Sequence, residues 1–76
     1  MQLKKTLDTL LEGQKAIVKA LAGGREFQHS VVNLGLTPGC RLEVISKSPG
    51  GGRILILTDR GRIALGHGMA EKILVG

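Results

Sequence analysis

The sequence predicts a mainly β fold with one inserted helix, a small barrel of about five strands. Three observations predict it. Five short stretches of alternating or unbroken apolar residues are separated by glycine, proline and aspartate turn signals. A single amphipathic run, residues 25–34, falls between the first and second of them. The segment Leu34-Gly35-Leu36-Thr37-Pro38-Gly39 then stops a helix, makes a tight turn and opens a strand. Closing into a barrel is the simplest way for so many short strands to hide their edges.

The elements follow in order. Leu3, Leu7, Leu10 and Leu11 have a helix-compatible spacing that Gly13 ends, so about one helical turn should precede the first strand. In residues 14–21, Ala16, Val18 and Ala20 alternate with Lys15, Ile17 and Lys19, as in a half-exposed strand. Gly23-Gly24 breaks that strand. From Arg25 to Leu34, Phe27, Val31 and Leu34 recur at i, i+4 and i+7 and should face the core, with Val32 widening the face. Gln28 and Asn33 fall on the polar side, and His29 and Ser30 near the edge. Gly35 suits the left-handed position just past a helix. Pro38-Gly39 fits the centre of a type II turn, since proline sets the first dihedral and glycine accepts a positive φ at the second.

Beyond the turn, Cys40, Leu42, Val44 and Ser46 alternate with Arg41, Glu43, Ile45 and Lys47. Ser48 to Gly52 reads as a hairpin loop too rich in glycine to hold structure of its own. Ile54 to Leu57 is an unbroken apolar run, expected to be a small buried strand. Asp59-Arg60-Gly61 supplies the next turn, and alternation resumes from Arg62 to Leu65. Gly66-His67-Gly68 leads into one helical turn at Met69 to Lys72, and Ile73-Leu74-Val75 is the final strand.

Size and composition narrow the classes. Seventy-six residues fit one domain, 1–76, with a small core and a stability of roughly 5 kcal/mol or somewhat more. A lone cysteine, Cys40, forms no internal disulfide and suits a reducing, cytoplasmic setting. No apolar run approaches the ~20 residues of a membrane span, and Met1 to Lys5 does not lead into a signal peptide. Eleven Lys and Arg against six Asp and Glu leave a net charge of +5. That balance suits nucleic acid, an anionic membrane surface or an acidic patch on a protein. Phe27 is the sole aromatic residue, which removes the stacking rings on which single-stranded nucleic-acid binders rely. The basic residues are also scattered, as on an ordinary soluble surface.

Catalysis finds little footing. No serine has a histidine and an acid in a recognisable arrangement. Cys40 lies beside Arg41, a neighbour able to depress its thiol pKa, but its inward alternation favours a small buried hydrophobe. His29 and His67 lack any paired-ligand spacing such as His-x-x-x-His, so no metal site and no cofactor are expected; Asp59 is the acid considered for a surface site with His67. Gly50-Gly51-Gly52-Arg53 lacks the Lys-Ser/Thr and the helix of a phosphate loop, and hairpin turns explain it.

Taken together, the motifs resemble one family across about 70 residues in register. They are Leu7-x-x-Leu10 with Gly13, Ala16-x-Val18, Leu21-x-Gly23-Gly24, and Leu34-Gly35-Leu36-x-Pro38-Gly39 with Leu42-x-Val44. Pro49-Gly50-Gly51, Ile63-Ala64-Leu65 and Ala70-x-x-Ile73-x-Val75 complete the set. The family is FeoA, small cytosolic accessory proteins of bacterial ferrous iron transport. The resemblance implies an SH3-like barrel with a helix after its first strand. It also implies association with FeoB, the membrane permease whose cytosolic part binds GTP. Similar domains end the DtxR-type metal-dependent repressors, but no helix-turn-helix portion is present here. Many relatives carry Arg-Leu where this chain has Ser30-Val31, so an anionic contact made there would have to come from Arg25 or from elsewhere in the chain. After Leu65, relatives often carry charge where this chain has Gly66-His67-Gly68.

The expectation is therefore a non-enzymatic adaptor, recruited from the cytoplasm to the inner membrane face by the permease and modulating Fe(II) uptake. Its candidate partner contacts are Arg25, His29 and Val31 on the helix and Arg53, Arg60 and Arg62 on the loops, although the core-facing spacing of Val31 favours burial. A nucleic-acid-binding barrel and a metal-sensing domain are the alternatives. Weak self-association through exposed strand edges is a further expectation.

Overall fold

The computed structural model describes residues 5–76. A short 3-10 turn, Leu7–Thr9, precedes β1 (Lys15–Leu21). Helix α1 (Arg25–Asn33) follows, then β2 (Arg41–Lys47), β3 (Arg53–Thr58), β4 (Gly61–Gly66), the single-turn helix α2 (His67–Ala70) and β5 (Ile73–Val75). The strands form one antiparallel sheet in the order β4-β3-β2-β1-β5. Strand β1 serves two partners: Lys15–Ile17 pairs with β2, and Val18–Leu21 pairs with β5 after a register shift between Val18 and Ala20. A bulge of this kind bends its strand, and here it turns the sheet back on itself to give an SH3-like barrel.

Closure is less complete than the sequence suggested. Strands β4 and β5 end the hydrogen-bonded order, and α2 carries the chain between them. The outer edge of β5 is covered instead, by a bridge from Thr6 to Leu74 and by Val75 N–H donating to Lys5 O at 2.8 Å. Inside, Leu7, Leu10, Val18, Val31, Leu36, Val44, Ile56 and Ile73 are fully buried, and Ile54 and Leu65 nearly so. Val18, Val44, Ile54, Ile56, Leu65 and Ile73 are inward strand positions of the pleated sheet, while Leu7, Leu10, Val31 and Leu36 come from the 3-10 turn, α1 and the joint after it.

The joint after α1 takes the expected form. Leu36 N–H donates to Val31 O at 3.1 Å and Gly35 N–H to Val32 O at 2.9 Å, the paired bonds of a Schellman motif, with Gly35 at φ +100°. Val31 and Leu36 are both buried and supply its apolar contact. Cys40 N–H then donates to Thr37 O at 3.0 Å, with Gly39 at φ +95°, which makes Thr37–Cys40 a type II turn. Leu34, expected inward, is 40% exposed, because the chain reverses at Gly35 and Leu36 fills the core in its place.

Other positions depart from simple alternation. Between Val44↔Ile56 and Ser46↔Leu55 the register of β2 slips by one residue. Directly opposed residues share a face, so the slip turns Ser46 outward and sets Lys47 opposite buried Ile54. Lys47 Nζ donates to Asp8 O and Leu10 O, each at 2.9 Å, tying β2 to the 3-10 turn. Within the run Ile54–Leu57 only Ile54 and Ile56 are buried; Leu57 is 41% exposed, so the apolar run is two-faced and not buried throughout. The loop read as structureless holds a 3-10 turn, Pro49–Gly51. The short helix begins at His67, two residues earlier than expected. Leu3, part of the first predicted turn, lies outside the described residues.

Candidate docking surface

The joint and the β3–β4 turn meet through Arg60. Thr58 shapes that turn: its hydroxyl accepts from Arg60 N–H at 3.1 Å and donates to Gly61 O at 3.2 Å. The Arg60 stem then lies against the bare backbone of Gly35, where a Cβ would sit 2.8 Å from Arg60 Cδ. Its guanidinium is thereby brought to the C-terminal end of α1, where the helix dipole favours a cation.

A groove of about 670 Å³ opens between these elements, lined by Val32, Thr37, Cys40, Arg41, Asp59 and Arg60. It shares Arg41 and Asp59 with a shallower groove on the outer sheet face, where Lys15, Ile17, Glu43 and Leu57 lie. Through Val32 it meets a third depression on α1, formed with Gln28, His29 and Asn33. Exposed Val32 (44%) and Leu57 (41%) thus stand along one connected surface. Arg62 pairs across the strands with Leu57 and adds a further cation. Apolar centres set among arginines are the anatomy of a protein interface.

Within the groove, burial and the Asp59 carboxylate push the Cys40 thiol above its ordinary pKa, outweighing the Thr37 backbone hydrogen bond and Arg60, which lower it. The expected depression by neighbouring Arg41 is not seen. Cys40 is half-buried and packs against the core just before β2, so it is a small hydrophobe at the rim and not a strand residue.

The structure divides the candidate contacts. His29, Arg60 and Arg62 belong to the connected surface. Arg25 begins α1, roughly 10 Å along the helix from Val32. Arg53 begins β3 opposite Gly66, about 13 Å along the strand from Leu57. Val31 is fully buried and unavailable to a partner; core packing is its role. Val32, Leu57 and Arg41 are not among the contacts that the sequence suggests. The unbroken apolar run Ile54–Leu57 gives no sign of which of its two faces is exposed. His67 lies near Asp8 and Glu71, and Asp59 is not among its neighbours.

Among the described residues no helix is long and apolar enough to cross a membrane. Fold and surface together define a small SH3-like barrel whose exposed Val32 and Leu57 stand among arginines. The FeoA domain family model matches residues 5–76, and the chain belongs to the FeoA family. It is 36% identical over 64 residues to a Methanocaldococcus jannaschii protein named Fe(2+) transport protein A, spanning 84% of this chain and 76% of that one. A crystal structure of an iron uptake regulatory protein, FeoA, superposes with a TM-score of 0.86 at 31% identity, over 99% of this chain and 97% of that one. A manganese-dependent transcriptional repressor matches with a TM-score of 0.90 over all of this chain and 42% of its own, at 19% identity, a likeness of fold alone.

Proposed function

We propose that this chain is a non-enzymatic accessory protein of ferrous iron transport. It docks on the cytosolic GTP-binding part of a FeoB-type permease and modulates Fe(II) uptake from the inner membrane face. The observation that carries this reading is the connected surface on which Val32 and Leu57 stand among Arg41, Arg60 and Arg62. Membership of the FeoA family and the transport name of its relative support the same direction. Burying two aliphatic side chains and pairing arginines with carboxylates gives a modest interface, suited to regulated contact and not to a permanent complex. The one aromatic ring, Phe27, packs on the core beneath Lys72 Nζ, 5.3 Å from the ring centre, which disfavours base stacking.

The test is retention of the chain's own permease from a mild detergent extract at low salt. The parent protein should retain it, and V32D/L57D should not, while R53E, at the far end of β3, should behave as the parent. Equal retention by V32D/L57D would remove this surface as the docking site. No retention by the parent would remove docking altogether.

A further inference from the structure

We propose that Asp8, His67 and Glu71 form a binding site for one divalent first-row transition ion. This inference is independent of the docking face and uses none of its residues. The three side chains come from two elements distant in sequence. Asp8 is in the 3-10 turn, His67 opens α2, and Glu71 follows one helical turn later, on the same side.

His67 Nε2 lies 3.9 Å from Asp8 Oδ2 and 3.8 Å from Glu71 Oε1, and all three ligand atoms lie within 4.8 Å of one another. Both nitrogen–oxygen distances are too long for hydrogen bonds. The donors therefore surround a gap instead of closing on each other. A point equidistant from all three sits about 2.5 Å or less from each, near the ~2.0–2.2 Å of zinc–nitrogen and zinc–oxygen bonds. His67 and Glu71 are solvent-exposed enough to close the remaining few tenths of an ångström by small rotations, with side chains 44% and 56% exposed.

Asp8 is the fixed member. Its side chain is mostly covered, and the Thr6 hydroxyl donates to Oδ1, which leaves Oδ2 turned to the histidine. A ligand oriented by an outer hydrogen bond is the usual support of a metal site. One imidazole and two carboxylates suit zinc, iron(II), cobalt(II) or manganese(II), with the open positions filled by water. Lys47 Nζ is nearby, but it is engaged with the carbonyls of Asp8 and Leu10 and leaves the carboxylates free. Without a metal, the same trio would be a histidine set between two acids.

Isothermal titration of the full chain with Zn²⁺ in a non-coordinating buffer separates the two. One ion per chain is expected. H67A and E71Q should each weaken binding at least about tenfold, with H29A unchanged. Glu71 is exposed and His67 half-buried, and matching melting curves would verify the fold. On the parent protein, Co²⁺ should shift or broaden amide resonances centred on Asp8, His67 and Glu71. Absence of binding up to about 1 mM Zn²⁺ would overturn the site. So would parent-like affinity in either variant, or paramagnetic effects centred on His29 or Cys40.

Discussion

Replacing Gly35 by alanine tests whether the joint after α1 is held by backbone geometry or by the packing of Arg60. At φ +100° a Cβ meets the backbone strain of the left-handed region, about 1–2 kcal/mol. The new methyl would also lie 2.8 Å from Arg60 Cδ. That neighbour is the middle of a flexible side chain, so it swings away, at a rotamer cost of about 0.5–1.5 kcal/mol. Against these, alanine restricts the unfolded chain and returns about 0.4–1 kcal/mol. The net is a destabilisation of roughly 0.5–3 kcal/mol, which in a domain of this size lowers Tm by about 2–24 °C. The chain has no Trp or Tyr, so far-UV circular dichroism in urea and on heating is the suitable probe. G35N should lose less, because asparagine tolerates the left-handed region. In an R60A background the G35A loss should shrink by the rotamer part. As a control, G24A, at φ −69° with open space around it, should change stability by less than about 0.5 kcal/mol. If G35A melts with the parent, the joint is not strained by a side chain. If R60A leaves the G35A loss untouched, the steric half of the reasoning fails.

Three further outcomes are expected. V31A should cost about 2 kcal/mol or more by urea denaturation, since Val31 is fully buried, whereas V32A, 44% exposed, should stay within about 0.5 kcal/mol yet weaken permease retention. K47M removes the donor to the Asp8 and Leu10 carbonyls and should destabilise by about 1–3 kcal/mol, with faster amide exchange in the 3-10 turn; unchanged exchange there would contradict the role given to Lys47. The Cys40 thiol, raised by burial and then by Asp59, should react with iodoacetamide at mildly alkaline pH more slowly than a free thiol, and D59N should speed it. Because the folded state holds that proton more tightly, stability should be unaffected below the ordinary thiol range and decline as pH rises through the raised folded-state value. A C40A protein lacking that decline would assign it to this group.

What the sequence made legible is what local chemistry dictates. The Schellman end at Gly35, the type II turn at Pro38-Gly39 and the three-residue β5 all follow from residue type and spacing. What it hid depends on contacts distant in the chain. The register slip of β2 after Val44 leaves no compositional mark, yet it exchanges the faces of Ser46 and Lys47. The apolar run Ile54–Leu57 cannot reveal which face is covered until β2 and β4 are in place. The docking surface was half visible. Charge singles out the arginines, but Arg25 and Arg53 sit away from Arg60 and Arg62, and spacing places Val32 and Leu57 in the core although both are exposed. The trio around His67 was invisible because Asp8 lies on the other side of the barrel's sequence, 3.9 Å away only after α2 folds onto the 3-10 turn.

The Gly35–Arg60 contact bears on function as well as fold. An arginine contributes to an interface only to the extent that it is held in place before the partner arrives, since ordering a long side chain costs about 0.5–1.5 kcal/mol on binding. Here the missing Cβ of Gly35 gives the Arg60 stem a seat, and Thr58 fixes the turn that delivers it. Val32, which accepts the Gly35 N–H bond at the helix end, borders the same groove. Glycine at this position therefore serves two ends at once: it lets the helix stop, and it preorganises a cation beside an exposed aliphatic residue. G35N separates them. Its fold should survive nearly intact, but its added side chain should displace Arg60 and weaken permease retention more than its small loss of stability explains. Retention equal to the parent would mean that Arg60 supports the joint and takes no part in docking.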